Sequence, residues 1–207
     1  MSLLVVSAVR FEAEPSLQIL RDKGLAFTFF ELGIGPLNAA RSAVRLGELC
    51  RNRTVLFLGS CGSFYPFHAP HLLTVDTVWW LTPCVRAGIA GFPEHVHPPF
   101  SLPQTRLALP VKTVLTAASI SLSSDFAPAV RAKLPDPEHL VENMELYACI
   151  EALLEAKTLD LILGVTNAVG SQSRAQWASH HRRVAQLTAE FLEESYDLES
   201  VRSELPA

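Results

Sequence analysis

The apolar positions of this chain fall into short runs that alternate between strand-like continuity and helical spacing, with glycine, proline or polar stretches between them. Leu3 to Ala8 is a continuous run rich in Leu and Val, the pattern of a strand covered on both faces. A loop carrying Arg10, Glu12 and Glu14 follows, and Pro15 suits the first turn of a helix that runs to Lys23 and closes at Gly24. Leu25 to Leu32 predicts a second strand. Gly33-Ile34-Gly35 then turns the chain into a helix from Asn38 through Leu49. Thr54 to Leu58 predicts a buried strand opening into a glycine loop, Gly59-Ser60-Cys61-Gly62-Ser63. After a loop from Phe64 to His71, Leu72 to Leu81 reads as a strand. The proline-rich segment Pro83 to Pro110 has no regular period, and irregular stretches this long are usually functional lids or subunit contacts.

In the second half, Val111 to Ala117 predicts a strand, and Ser124 with Asp125 can cap a helix to Leu134 before Pro135 and Pro137 break the chain. A short apolar run, His139-Leu140-Val141, gives way to helical spacing through Ala156, so Glu142 and Glu145 are expected at a helix start. Asp160 to Thr166 is the last buried strand, leading to the loop Asn167 to Ser171. A terminal helix runs from Arg174 to about Tyr196, and the polar tail after Asp197 is expected to fray. Strands alternating with helices predict one α/β domain over residues 1–207, a central sheet with helices on both faces.

Composition narrows the function classes. With 49% hydrophobic and only 18% charged residues, the surface is lightly charged and some of it is expected to be covered by another subunit. A net charge of −4 without a cluster of arginines provides no footprint for nucleic acid. The opening apolar run is too short for a signal peptide or a membrane span, so the expected location is the cytoplasm and no membrane partner is expected. Cys50, Cys61, Cys84 and Cys149 have no zinc spacing and read as reduced, mostly buried thiols. His68, His71, His95 and His97 lack a Cys or carboxylate at a ligand spacing, and no metal is expected.

The candidate chemistry lies after the strands. Glu12, Ser60, Glu145 and Asn167 come from distant parts of the sequence, but all follow predicted strands, where open α/β sheets place their ligands. Each has an ordinary alternative. Carboxylates favour a helix's first turn for dipole reasons alone, and Asn167 can serve an Asx turn. Gly33-x-Gly35 lacks the third glycine and the acidic residue of a dinucleotide fingerprint, which argues against a nicotinamide site.

In order along the chain, Ala8-Val9-Arg10-Phe11-Glu12-Ala13-Glu14, Gly33-Ile34-Gly35-Pro36-Leu37-Asn38-Ala39-Ala40, Gly59-Ser60-Cys61-Gly62 and Val141-Glu142-Asn143-Met144-Glu145 resemble the motifs of the nucleoside phosphorylase and nucleosidase superfamily. The likeness is to the branch that includes methylthioadenosine/S-adenosylhomocysteine nucleosidase and futalosine hydrolase. It implies a three-layer sandwich around a mixed sheet, no cofactor, a purine nucleoside as small-molecule partner, and a homodimer. It further implies that Glu12 activates the attacking water, that Met144 and Glu145 contact the ribose, and that Ser60 lies in a substrate-binding loop. Asn167 falls where the nucleosidases use Asp to protonate the purine, and Leu146-Tyr147 replaces the small residues that usually follow Met-Glu.

Cleavage of an N-glycosidic bond needs a base for water, a partner for the ribose hydroxyls and stabilisation of the departing purine, roles these residue types can fill. Phosphorolysis would also need cations for phosphate, and near the first loop only Arg10 is available, so water is the expected nucleophile. The expected substrate is futalosine, a menaquinone precursor, with release of hypoxanthine. Methylthioadenosine or S-adenosylhomocysteine cleavage, and a catalytically inactive nucleoside-binding relative, are the alternatives.

Overall fold

Alternate residues of β1 (Leu3–Ser7) face opposite helical layers in the computed structural model, which describes residues 3–90, 99–103 and 105–204. Leu4 and Val6 pack with Val55 and Phe57 of β3 (Thr54–Ser63) in a cluster completed by α2 (Pro36–Cys50) and α5 (Leu146–Leu153). On the other face, Leu3, Val5, Leu56 and Leu58 pack with α1 (Arg10–Asp22) and α6 (Ser173–Glu194). Burial on both faces is why these strands show no polar alternation.

The remaining strands are β2 (Phe27–Glu31), β4 (His71–Trp80), β5 (Phe100–Ser101), β6 (Val111–Thr116), β7 (Leu140–Asn143) and β8 (Thr158–Ala168), with a single helical turn, α3 (Pro83–Arg86), after β4. β2, β1 and β3 are parallel neighbours. β3 pairs in parallel with β8 along its length and antiparallel with β7 at its carboxyl end. β7 continues to β6, β6 to β4, and β4 returns antiparallel to β8. The mixed sheet thus closes on itself as a ring, β3-β8-β4-β6-β7, with β1 and β2 extending from one side. The result is a single α/β domain with helices on both faces, the architecture expected from the alternation of elements.

Several boundaries differ from the pattern reading. α1 begins at Arg10, so Glu12 lies in its first turn and Pro15 lies inside the helix. β3 continues through Gly59–Ser63, because that stretch finds partners on both sides, β8 and β7. Glu142 belongs to β7 instead of a helix start, and Asn167 to β8 instead of a loop. The helix expected up to Leu134 shrinks to α4 (Pro128–Arg131), with Ala127 at its N-cap; Asp125 bonds to Ser123 instead. The polar tail forms α7 (Leu198–Glu204), held by the fully buried Val201 in the α1–α6 cluster.

Part of the irregular segment after β5 is fastened by charge. Asp160 is 1% exposed and accepts from Arg106 Nε at 3.1 Å, from Arg106 Nη2 at 2.8 Å and from the Tyr196 hydroxyl. A carboxylate so deep in the protein needs such partners. All four cysteines are free, with Cys50, Cys61 and Cys149 buried and Cys84 exposed. Among the described residues no helix is long and apolar enough to cross a membrane, and no group of His, Cys, Asp and Glu could hold a metal. His95 and His97 lie outside the described residues.

Candidate active site

A cavity of about 450 Å³ opens at the carboxyl ends of β1 and β3, a size suited to a small organic ligand. Glu12, Ser60, Met144, Glu145 and Asn167 all line it, so the structure brings together the five residues singled out in the sequence. A bulge contributes to this convergence. The β3–β8 register runs Cys61 to Val165 and then Gly62 to Asn167, leaving Thr166 as the extra residue. The Thr166 hydroxyl lies 3.2 Å from the Cys61 carbonyl and 2.7 Å from Asn167 Oδ1, which places Asn167 beside Gly62. Bulges next to active sites commonly re-aim a side chain in this way.

Glu12 is part-buried in the first turn of α1. Its Oε1 accepts from Ser60 Oγ at 2.6 Å, and Ser60 Oγ in turn accepts from Trp177 Nε1 at 3.3 Å. Trp177 stacks on His181 and meets the edge of Phe11, which fixes the indole. Desolvation raises the Glu12 pKa to about 7; the Ser60 bond opposes that rise, and the nearby Glu145 charge adds to it. A carboxylate tuned to neutral pH suits a general base.

Glu145, buried at the N-cap of α5, is gripped at both oxygens. Oε1 accepts from the Gly35 amide at 2.8 Å and Oε2 from Asn143 Nδ2 at 3.0 Å. Gly35 has φ +84°, a conformation that glycine adopts without strain and that aims its amide at the carboxylate. Asn143 also accepts from the Glu145 and Leu146 amides through Oδ1 and donates to the Ser60 carbonyl. One side chain therefore caps α5, orients Glu145 and ties both to β3. Burial pushes the Glu145 pKa up, and these hydrogen bonds pull against the shift. Its remaining lone pairs can accept hydroxyls.

Asn143 and Trp177 are site residues that the sequence reading did not single out. An Asn at a strand-to-helix boundary is a capping signal, and it was there to be used. Nothing in the spacing of Trp177 distinguished it from a core residue of α6. Glu142 and Arg174 also line the cavity, Glu142 buried and Arg174 exposed. Leu146 packs wholly inside the core, and Tyr147 packs against Trp80 and Phe100, so both departures from small residues are absorbed by packing.

No protein-family model matches the sequence, and no curated protein does. The fold, by contrast, is shared over the whole chain with solved nucleosidases. The native futalosine hydrolase of Helicobacter pylori is 13% identical, with a TM-score of 0.68 over 99% of this chain and 98% of that one. An H. pylori MTAN mutant with 5'-methylthioadenosine in its active site is 14% identical, with a TM-score of 0.64 over 99% of each chain. The 5'-methylthioadenosine/S-adenosylhomocysteine nucleosidase of S. pneumoniae, with a transition-state inhibitor, is 17% identical, with a TM-score of 0.65 over 93% and 99%. The chain has the fold of these nucleosidases.

Proposed function

We propose that this protein hydrolyses the N-glycosidic bond of a purine nucleoside, and that its substrate is futalosine, from which it releases hypoxanthine. The observation that carries the reading is the pairing of two differently held carboxylates in one cavity. Glu12, with a pKa of about 7, is suited to take a proton from water, and Glu145, fixed by Gly35 and Asn143, to accept the ribose hydroxyls. Charge supports water over phosphate as the nucleophile. Glu12, Glu142 and Glu145 all line the cavity beside one exposed arginine, Arg174, and Arg10 donates to Glu14 at 2.8 Å. A phosphate dianion would meet three carboxylates against that one guanidinium.

Asn167 supports hypoxanthine as the leaving base. Its Nδ2 gives one hydrogen to the Ala168 carbonyl at 2.9 Å, and the amide carries a second for an acceptor on the base. A 6-oxopurine has acceptors at O6 and N7. A homodimer fits the same reading, supported by the exposed apolar side chains Ile34, Leu37 and Val44 at the start and along the outer side of α2. Sedimentation analysis tests that part.

The decisive experiment incubates the purified protein with futalosine and with methylthioadenosine and separates the released bases by chromatography. Hypoxanthine from futalosine at the higher rate is the expected result. Faster adenine release would replace futalosine by methylthioadenosine, and release of neither base would overturn the hydrolase reading.

A further inference from the structure

The cavity wall carries a cation that water attack and ribose contact leave without a task. Among the described residues that line the cavity, Arg174 is the one arginine, lysine or histidine. It is exposed and has no hydrogen-bond, ion-pair or ring partner among the described residues. Other arginines are held by acids: Arg10 donates to Glu14 at 2.8 Å, Arg106 to Asp160 at 2.8 Å, and Arg86 stands 3.8 Å from Glu142. The acids of the cavity are bonded elsewhere, Glu12 to Ser60, Glu145 to Gly35 and Asn143, and Glu142 to Ser121. Helix stability does not account for Arg174 either. It is the second residue of α6, where the helix dipole disfavours a cation, and the first turn holds no acid to offset the charge.

Arg174 and Trp177 stand three residues apart on α6 and so share a face. Trp177 Nε1 donates to Ser60 Oγ at 3.3 Å, and Phe11 and His181 brace its ring, which fixes this face of α6 against the Glu12 end of the cavity. The exposed side chains of the lining are Ile34, Ile120 and Arg174, with Val9 and Trp177 half-buried. The mouth is therefore apolar with one positive charge. With the base toward Asn167 and the ribose hydroxyls on Glu145, the 5' carbon is the part of a nucleoside left to lead out to this mouth.

We infer that Arg174 is a specificity-determining residue that pairs with an acid group at the end of an apolar 5' substituent. The inference rests on the nucleosidase reading and names the chemical class of the group on the 5' carbon. A guanidinium matches a carboxylate through two parallel N–H···O bonds. Futalosine, whose 5' chain is an aryl ketone ending in a carboxylate, belongs to this class; methylthioadenosine, with its neutral methylthio group, does not. One guanidinium suffices for a single carboxylate held at the mouth, whereas a phosphate nucleophile would have to sit at C1' beside Glu12.

Hydrolysis of futalosine and of its carboxamide, a neutral group of the same shape in place of the acid, tests this. The wild type should show a kcat/KM at least about fivefold higher for the acid, less than a buried pair would give because water reaches Arg174. Arg174→Ala should lose about fivefold or more on futalosine, chiefly in KM, and stay within about twofold of wild type on the carboxamide. Arg174→Lys should keep part of the preference, and added salt should weaken it in the wild type. Equal losses on both substrates would show a merely structural role, and a wild type without the preference would show that the acid goes unread; either result overturns the inference. So would base release that inorganic phosphate accelerates and Arg174→Ala abolishes, since the arginine would then hold the nucleophile. If neither compound is hydrolysed, the nucleosidase reading falls by itself. Calorimetric dissociation constants for the same two compounds then decide the role of Arg174: a preference for the acid that the alanine variant loses upholds it, and no preference overturns it.

Discussion

Ser60 Oγ donates to Glu12 Oε1 at 2.6 Å while accepting from Trp177 Nε1 at 3.3 Å, so a residue of α6 controls the direction of the only hydroxyl hydrogen that Ser60 can give to Glu12. That bond favours ionised Glu12 and opposes the desolvation that raises its pKa to about 7. The base acts in its ionised form, so kcat/KM should rise with pH to a plateau above about 7. Ser60→Ala removes a stabiliser of the charge and should move the midpoint upward. A pH–rate profile of the two proteins checks the direction, and a midpoint that stays in place would show that Ser60 does not tune Glu12.

Glu12→Gln should reduce turnover by about a hundred- to ten-thousand-fold while nucleoside binding persists, since the amide keeps the shape and loses the base. The same variant carries a stability signature. Glu12 has a folded pKa of about 7, above its ordinary value of 4.5. The native state therefore binds the proton more tightly, and stability falls as pH rises from about 4.5 through 7. Glutamine does not titrate. The variant should gain thermal stability relative to wild type at pH 8 compared with pH 4.5, which thermal melts at the two pH values will show.

Glu145→Gln should damage binding and turnover together, because a carboxylate that accepts ribose hydroxyls acts in the ground state as well as in the transition state. A charge-assisted hydrogen bond of this kind contributes roughly 1.5–3 kcal/mol. A 2',3'-dideoxy analogue separates this role from a purely structural one. It should bind wild type and variant with similar affinity, and a full additional loss in the variant would falsify the assignment.

The alternation of elements and five of the residues that line the cavity were legible in the sequence; Asn143, Trp177 and the junctions between strands and loops were not. Gly59-Ser60-Cys61-Gly62-Ser63 has turn composition, yet it stays extended because β8 and β7 both supply hydrogen-bond partners. Local propensity carries no trace of such partners. Glu142 looked like a helix-start carboxylate because the apolar period changes just after it, but the four residues of β7 are too few to show a period of their own. Val201 is the opposite case. A lone valine in a polar tail gives no signal, although burial in the cluster of α1 and α6 is what holds α7 in place. Glu12, Ser60, Glu145 and Asn167 were recoverable because each ends or follows an unbroken apolar run, and in this topology those run ends converge.

Arg106→Ala tests the clamp outside the cavity. Asp160, 1% exposed, would keep only the Tyr196 hydroxyl of the contacts described, leaving a buried charge short of its counter-ion. Stranding a fully buried carboxylate costs about 3–5 kcal/mol, and the partial exposure of the Arg106 side chain, 35%, lowers the expected loss to about 2 kcal/mol. Urea denaturation should show that loss, with turnover at low temperature retained. A change below about 0.5 kcal/mol would mean that water replaces the guanidinium at no cost.

Asn167→Asp addresses the choice of base. Asn167 Oδ1 accepts from the Thr166 hydroxyl at 2.7 Å, and Nδ2 donates to the Ala168 carbonyl at 2.9 Å. An aspartate would set an oxygen against the Ala168 carbonyl where the amide placed a donor, so the protonated acid is the form that fits. That acid has one proton, and with it given to the Ala168 carbonyl the oxygen offers the base only an acceptor, which suits the 6-amino group of adenine, whereas the amide has a second hydrogen to donate to the O6 and N7 edge of hypoxanthine. A mismatched buried donor or acceptor costs about 1–3 kcal/mol, enough to change a preference by tenfold or more. The ratio of hypoxanthine release from futalosine to adenine release from methylthioadenosine should therefore fall by at least about tenfold in the variant. If Asn167 serves only to anchor the bulge through Thr166 and Ala168, both rates will drop by the same factor and the ratio will not move.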